Sequence, residues 1–154
     1  MPLIAASHSV VFDVVLMAHI GIGLASLVLF IVSYSAARQL PMASKTAQQY
    51  FGPGAQWPLR IIHLLPLTGI VLVITSRHAI AFSEPFVGIG LALWLAMSAV
   101  LEAMVMPSIT KTSAALLKGT TPNFGLLRRI KVGLDVAAVL LVVAAVIMVA
   151  QPGS

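Results

Sequence analysis

Five ionisable side chains interrupt stretches of this chain that are otherwise apolar: Asp13, His19, His63, Glu102 and Asp135. An ionisable group placed at the centre of a helix in lipid costs about 2.5–3.5 kcal/mol on insertion scales, so such residues face one another, a cavity or a partner. Helical rise sets their depths. His63 lies four residues into the second apolar stretch, Glu102 four residues from the end of the third, and Asp135 five residues into the fourth, all ~6–7 Å deep. An imidazole and two carboxylates thus share one level, with Arg60, Arg128, Arg129 and Lys131 just beneath. Two chemistries fit. One is a polar pocket for protons, a cation or a small polar ligand. The other is an ion-pair network in which Arg60 or Lys131 snorkels to neutralise the acids. Ser98, one turn before Glu102, extends either arrangement.

His19 stands ~12 Å deep in the first stretch. Gly21, Gly23 and Ser26 follow it. A histidine beside glycine suits haem iron or copper, or a plain hydrogen bond to a neighbouring helix. His63 is the obvious second axial ligand for haem, but the two depths differ by ~12 Å, which weighs against one haem using both. A third group, His8, Asp13, His78 and Glu84, lies near the opposite end, where it could bind copper or zinc or stand solvated. Met17, Met97, Met104, Met106 and Met148 are scattered and read as packing. No nucleophile–base motif, phosphate-binding glycine loop or metalloprotease pair occurs, so no catalytic residue is assigned.

The elements that carry these residues follow from composition. The chain has 154 residues, 60% hydrophobic and only 8% charged. Soluble domains carry roughly 25% charge, so most of this surface faces something other than water, and a lipid bilayer is the simplest medium. About 20 apolar residues span the hydrocarbon as a helix. Four stretches qualify: residues 11–33, 59–76, 86–106 and 130–149. The expected fold is all-α, a single domain over residues 1–154, folded as a four-transmembrane-helix up-down bundle.

Turn residues set the boundaries. Ser83-Glu84-Pro85 reads as a helix start, with Ser83 as N-cap. Phe51-Gly52-Pro53-Gly54 forms a turn before the second helix, and Pro152-Gly153 closes the fourth. Pro66 predicts a kink in the second helix. Pro107 marks a bend or stop, leaving 108–128 as a connection that is either a plain loop or a short interfacial helix. Tyr34, Tyr50, Phe51 and Trp57 are expected near interfaces. Gly88, Ala92, Ala96, Ala99 and Ala103 form a small-residue stripe suited to close helix packing or to a dimer interface.

Arg38, Lys45 and Arg60 fall at one end of the bundle with Lys111, Lys118, Arg128, Arg129 and Lys131, against Arg77 alone at the other. The positive-inside rule puts both basic loops in the cytoplasm and both termini outside it. With the net charge of +5 concentrated in short loops, no nucleic-acid role is expected. The absence of cysteine removes disulfides, thiolate metal sites and covalently attached haem. The first Lys or Arg is Arg38, so the first apolar stretch lacks the basic start of a secretory signal and is expected to be retained as a helix.

His19 with Gly21 and Gly23, the Gly52-to-Gly54 turn and the Met148-to-Pro152-Gly153 ending together resemble the bacterial four-helix membrane family known as domain of unknown function 2269. The plan is distantly similar to copper-resistance D type proteins and to membrane-bound protoporphyrinogen oxidase. The resemblance implies a bacterial cytoplasmic membrane, matches His19 to the family's first-helix histidine, and brings in haem or porphyrin through the more distant kin. Three functions compete: a non-enzymatic subunit or scaffold of a membrane assembly, as a homo-oligomer or with a membrane-protein partner; a haem-binding redox protein using His19; and proton- or cation-coupled permeation through His63, Glu102 and Asp135.

Overall fold

The computed structural model describes residues 10–40, 50–52, 54–76 and 80–150. His8, Lys45, Pro53, Arg77, His78 and Pro152-Gly153 lie outside them. Four helices carry the chain: α1 (Val10–Gln39), α2 (Pro58–Thr75), α3 (Pro85–Leu117) and α4 (Phe124–Ala150), each long and apolar enough to cross a membrane. No strand occurs among the described residues. This is the helical architecture that an apolar medium selects, because each helix satisfies its own backbone. Valine, isoleucine and leucine cover the outside: Val14, Leu24, Val28, Leu67, Ile74 and Val139 are all more than half exposed. The protein is a multi-pass membrane helix bundle.

The helices overrun the apolar stretches. Both α1 and α4 continue beyond the hydrophobic limits into basic residues, since a helix does not stop where hydrocarbon does. The largest difference is in α3. It does not end at Pro107 but runs on to Leu117, so the 108–128 connection shrinks to six residues, Lys118–Asn123. The physical reason is local. Pro107 has no N–H, and the chain answers with one wide π-helical turn, Leu101–Val105, closed by the Met106 N–H on the Leu101 carbonyl. Ser108 Oγ then donates to the Met104 carbonyl at 2.7 Å, and Thr110 Oγ1 to that of Met106 at 3.0 Å. The helix runs through the proline without a break.

Both ends of α3 are sharply made. Glu84, not Ser83, takes the N-cap position in extended backbone, as the residue before Pro85 must. At the other end Gly119 adopts φ +68°, and its N–H and that of Thr120 close onto Leu116 and Ala115. That reversal needs a residue free of a Cβ. Asn123 then caps α4, its Oδ1 accepting from Gly125 N–H at 2.7 Å.

α1 packs along both α2 and α4, and α3 packs along α4, while α2 and α3 approach each other sparsely. Glycines set the α3–α4 register. A Cβ on Gly133 would meet Val105, and a Cβ on Gly90 would meet the Met148 thioether methyl. The helices are therefore antiparallel, with Glu102 level with Val136. The tight core lies toward the basic end, where Phe30, Phe51, Leu59, Ile62, Leu101, Val105, Ile130 and Leu134 are essentially sealed. Phe51 belongs to this core and not to an interface. Tyr50 OH and Ser33 Oγ share a hydrogen bond of 2.7 Å beside it. At the other end few side chains are buried, among them Phe12, Leu72 and Phe86.

These contacts separate two glycines that look alike in sequence. Gly133→Ala forces the stiff, fully buried Val105 to move and is expected to cost about 1–3 kcal/mol. Gly90→Ala displaces only the free end of Met148 and should cost well under that. Unfolding in mixed detergent micelles measures the difference.

Candidate functional site

Pro66 starts the site. It offers no N–H to the Ile62 carbonyl four residues earlier, and the first turns of α2, Pro58–His63, wind as a 3₁₀ helix before the α-helix proper begins at Leu64. Trp94 of α3 reaches across and donates its Nε1–H to the Ile62 carbonyl at 3.3 Å. The indole then stands edge-on to the His63 ring, with centroids 6.2 Å apart.

The π-helical turn carries Glu102 on the facing helix. One of its carboxylate oxygens accepts from Arg60 Nη2 at 3.3 Å, and the other meets His63 Nε2 at 3.1 Å. Arg60 also lies 4.9 Å above the Trp57 ring. One carboxylate thus ties both ends of a short helical segment of α2 to α3, across the side of the bundle where the backbones are furthest apart. The three ionisable side chains are 33–42% exposed, so they sit at the open side of the bundle and not in a sealed core. Arg60 Nε and Ser98 Oγ are buried and have no partner among the described residues. Chemically, Glu102 and His63 are placed to exchange a proton, while Arg60 holds the carboxylate from the basic side. π-Helical turns of this kind recur at functional positions.

Asp135 does not join them. The α3–α4 register puts it within one residue of the level of Glu102, but α4 buries Ile130, Gly133, Leu134, Ala137 and Leu141, which turns Asp135 outward. Lys131 is also apart, its Nζ lying 5.9 Å over the Phe124 ring. Depth brought these residues to one level, and the facing of α4 separated them.

His19 is held by α2. Its Nδ1 is 2.7 Å from Thr68 Oγ1, and that hydroxyl donates to the Leu64 and Leu65 carbonyls. The hydroxyl proton points at the backbone, an arrangement that suits the tautomer with the hydrogen on Nδ1. Gly69 gives the ring room, 3.5 Å from where its Cβ would stand. His63, engaged with Glu102 five residues before Thr68, is not a second ligand at this ring. Of the group at the non-basic end, Asp13 is exposed and Glu84 partly so, with His8 and His78 outside the described residues. No group of three or more metal-ligating side chains occurs among the described residues.

Comparison of the chain with protein-family models, curated proteins and solved structures finds no match. The site therefore stands on its own geometry. The signal for it in the sequence was the shared depth of His63, Glu102 and Arg60; that the two prolines fall at the same level adds to it. Trp94 itself carried no signal beyond being an aromatic residue in a span.

A double-mutant cycle tests the proline–tryptophan link. Trp94→Phe removes the donor to Ile62 and is expected to cost about 0.5–1.5 kcal/mol. In a Pro66→Ala background, where the backbone N–H can serve that carbonyl, the same change should cost clearly less.

Proposed function

We propose that this chain is a non-enzymatic subunit or scaffold of a membrane assembly. The observation that carries the reading is the outer face of α3. Gly88, Ala92, Ala96, Ala99 and Ala103 are all exposed, and the space over Gly88 is open. Small residues on a membrane helix allow another helix to approach closely, and none of these five is used for packing inside the bundle. The polar side chains within the spans add to this. His19 is spent on Thr68, and Glu102 on Arg60 and His63, which ties helices together. The reading includes orientation. Arg38, Arg60, Lys111, Lys118, Arg128, Arg129 and Lys131 lie toward one end, which the positive-inside rule assigns to the cytoplasm. The resemblance to a bacterial four-helix family supports the cytoplasmic membrane as its place.

Native mass spectrometry of the protein released from its own membrane in lipid nanodiscs tests the assembly. The chain should appear in species heavier than its 16.2 kDa monomer, and Ala96→Leu, which fills the stripe, should disperse them without unfolding the bundle. A monomer alone, from native membrane, overturns the reading.

A second reading draws on the second ring nitrogen of His19, which could ligate the iron of a haem held beside α1 while Thr68 engages Nδ1. Bound haem would supply redox chemistry, and the chain's part would be His19 as ligand with Thr68 fixing its ring. An absorption spectrum after haem supply decides this. A Soret band lost in His19→Ala is expected on this reading, and its absence from the unaltered protein removes it.

A further inference from the structure

One acid serves two basic groups where α2 meets α3. Glu102 accepts from Arg60 Nη2 with one oxygen and meets His63 Nε2 with the other. Local winding makes this possible. Residues three apart eclipse one another on a 3₁₀ helix, whereas on an α-helix they are splayed by about a sixth of a turn. Arg60 and His63 are three apart on the 3₁₀ segment Pro58–His63, so both line up on the same facing carboxylate.

Little else holds that segment to α3. The backbones approach sparsely. The other polar bond across the gap is that of Trp94 Nε1–H to the Ile62 carbonyl, at 3.3 Å. Arg60 Nε and Ser98 Oγ are buried without partners, so no further contact backs the bridge. No second acid stands in reserve among the described residues. Asp13 of α1 and Glu84 of α3 lie at the opposite end of the bundle, and Asp135 of α4 faces outward. The other basic groups do not face Glu102 either. His19 is engaged with Thr68, Arg38 lies over the Tyr34 ring and Lys131 over the Phe124 ring, while Lys111, Lys118, Arg128 and Arg129 are exposed.

We propose that Glu102 is a proton-operated latch, which holds the 3₁₀ entry of α2 against α3 while it is charged and releases it when it is neutralised. Protonating His63 keeps the latch shut, because an imidazolium still donates to the carboxylate. Protonating Glu102 opens it, because two basic groups then face one neutral acid with no other anion to hold them. The bridge is therefore present above the titration of the carboxylate and is lost as pH falls through it. Arg60 has a second contact to keep on release, since its guanidinium lies 4.9 Å over the Trp57 ring, on its own side of the gap. The 3₁₀ segment is the moving part, as such stretches within helices often are. The latch lies within one chain and does not depend on assembly.

The chain has no cysteine, so two spin labels can be placed at Leu64→Cys on α2 and Lys111→Cys on α3, both exposed. Pulsed dipolar spectroscopy in lipid nanodiscs then reads their separation. One short separation is expected at neutral pH and a longer one on acidification. Glu102→Gln should show the longer one at both pH values. His63→Asn and Asp135→Asn should each keep the response to pH. A control pair, Val28→Cys on α1 and Val139→Cys on α4, should not change, which shows that the bundle stays folded. A separation indifferent to pH overturns the proposal, as does a Glu102→Gln variant that keeps the short one. A response abolished by His63→Asn assigns the titration to the imidazole and overturns it too. Equal movement at the control pair means that acid loosens the whole bundle, and this also overturns it.

Discussion

Every backbone polar group within the bilayer must find a partner in the protein, and two prolines make that demand acute. Pro66 leaves the Ile62 carbonyl without its usual donor, and Pro107 cannot close a normal turn onto Ala103. The first is answered from another helix, by the Trp94 indole. At the second, the helix takes up the π-helical turn Leu101–Val105 just before the proline. Both adjustments fall at one level of the bundle. The indole arrives beside His63, and the wide turn carries Glu102 toward Arg60 and His63. The site between α2 and α3 is therefore a consequence of backbone repair as much as of charge pairing.

That joint also explains how the bundle closes. α2 and α3 are consecutive in the chain, yet their backbones scarcely meet. The close packing runs from α2 to α1, on to α4 and then to α3, and side chains alone bridge the remaining gap. Surface ion pairs in water contribute at most about 1 kcal/mol. Here the neighbouring medium is lipid, and Glu102 has two partners, so the bridge has more to do than a pair on a soluble surface. Among the described residues the opposite half of the bundle has no equivalent. His19 and Thr68 link α1 to α2 there, and the outward side chains are left to the bilayer.

Two features of the outer surface lie outside this internal packing: the small-residue stripe of α3 and Asp135 on the outward face of α4. Neither contributes to the core, and both depart from what lipid contact alone requires.

Much was legible without coordinates. The four apolar stretches followed from the length that hydrocarbon demands, and the levels of Glu102 and Asp135 from a rise of ~1.5 Å per residue, because both depend only on order along the chain. The residues that face each other did not follow. Counting places a side chain at a depth but not at an azimuth, and azimuth is decided by which neighbour a helix packs against and by any turn that shifts its phase. Asp135 looked outward because α4 buried Gly133 and Ala137 against its neighbours. Glu102 met Arg60 and His63 in a turn that Pro107 had widened. Pro107 itself, a bend or stop signal when read alone, sits inside a continuous helix, just after a π-helical turn that only the folded helix could supply.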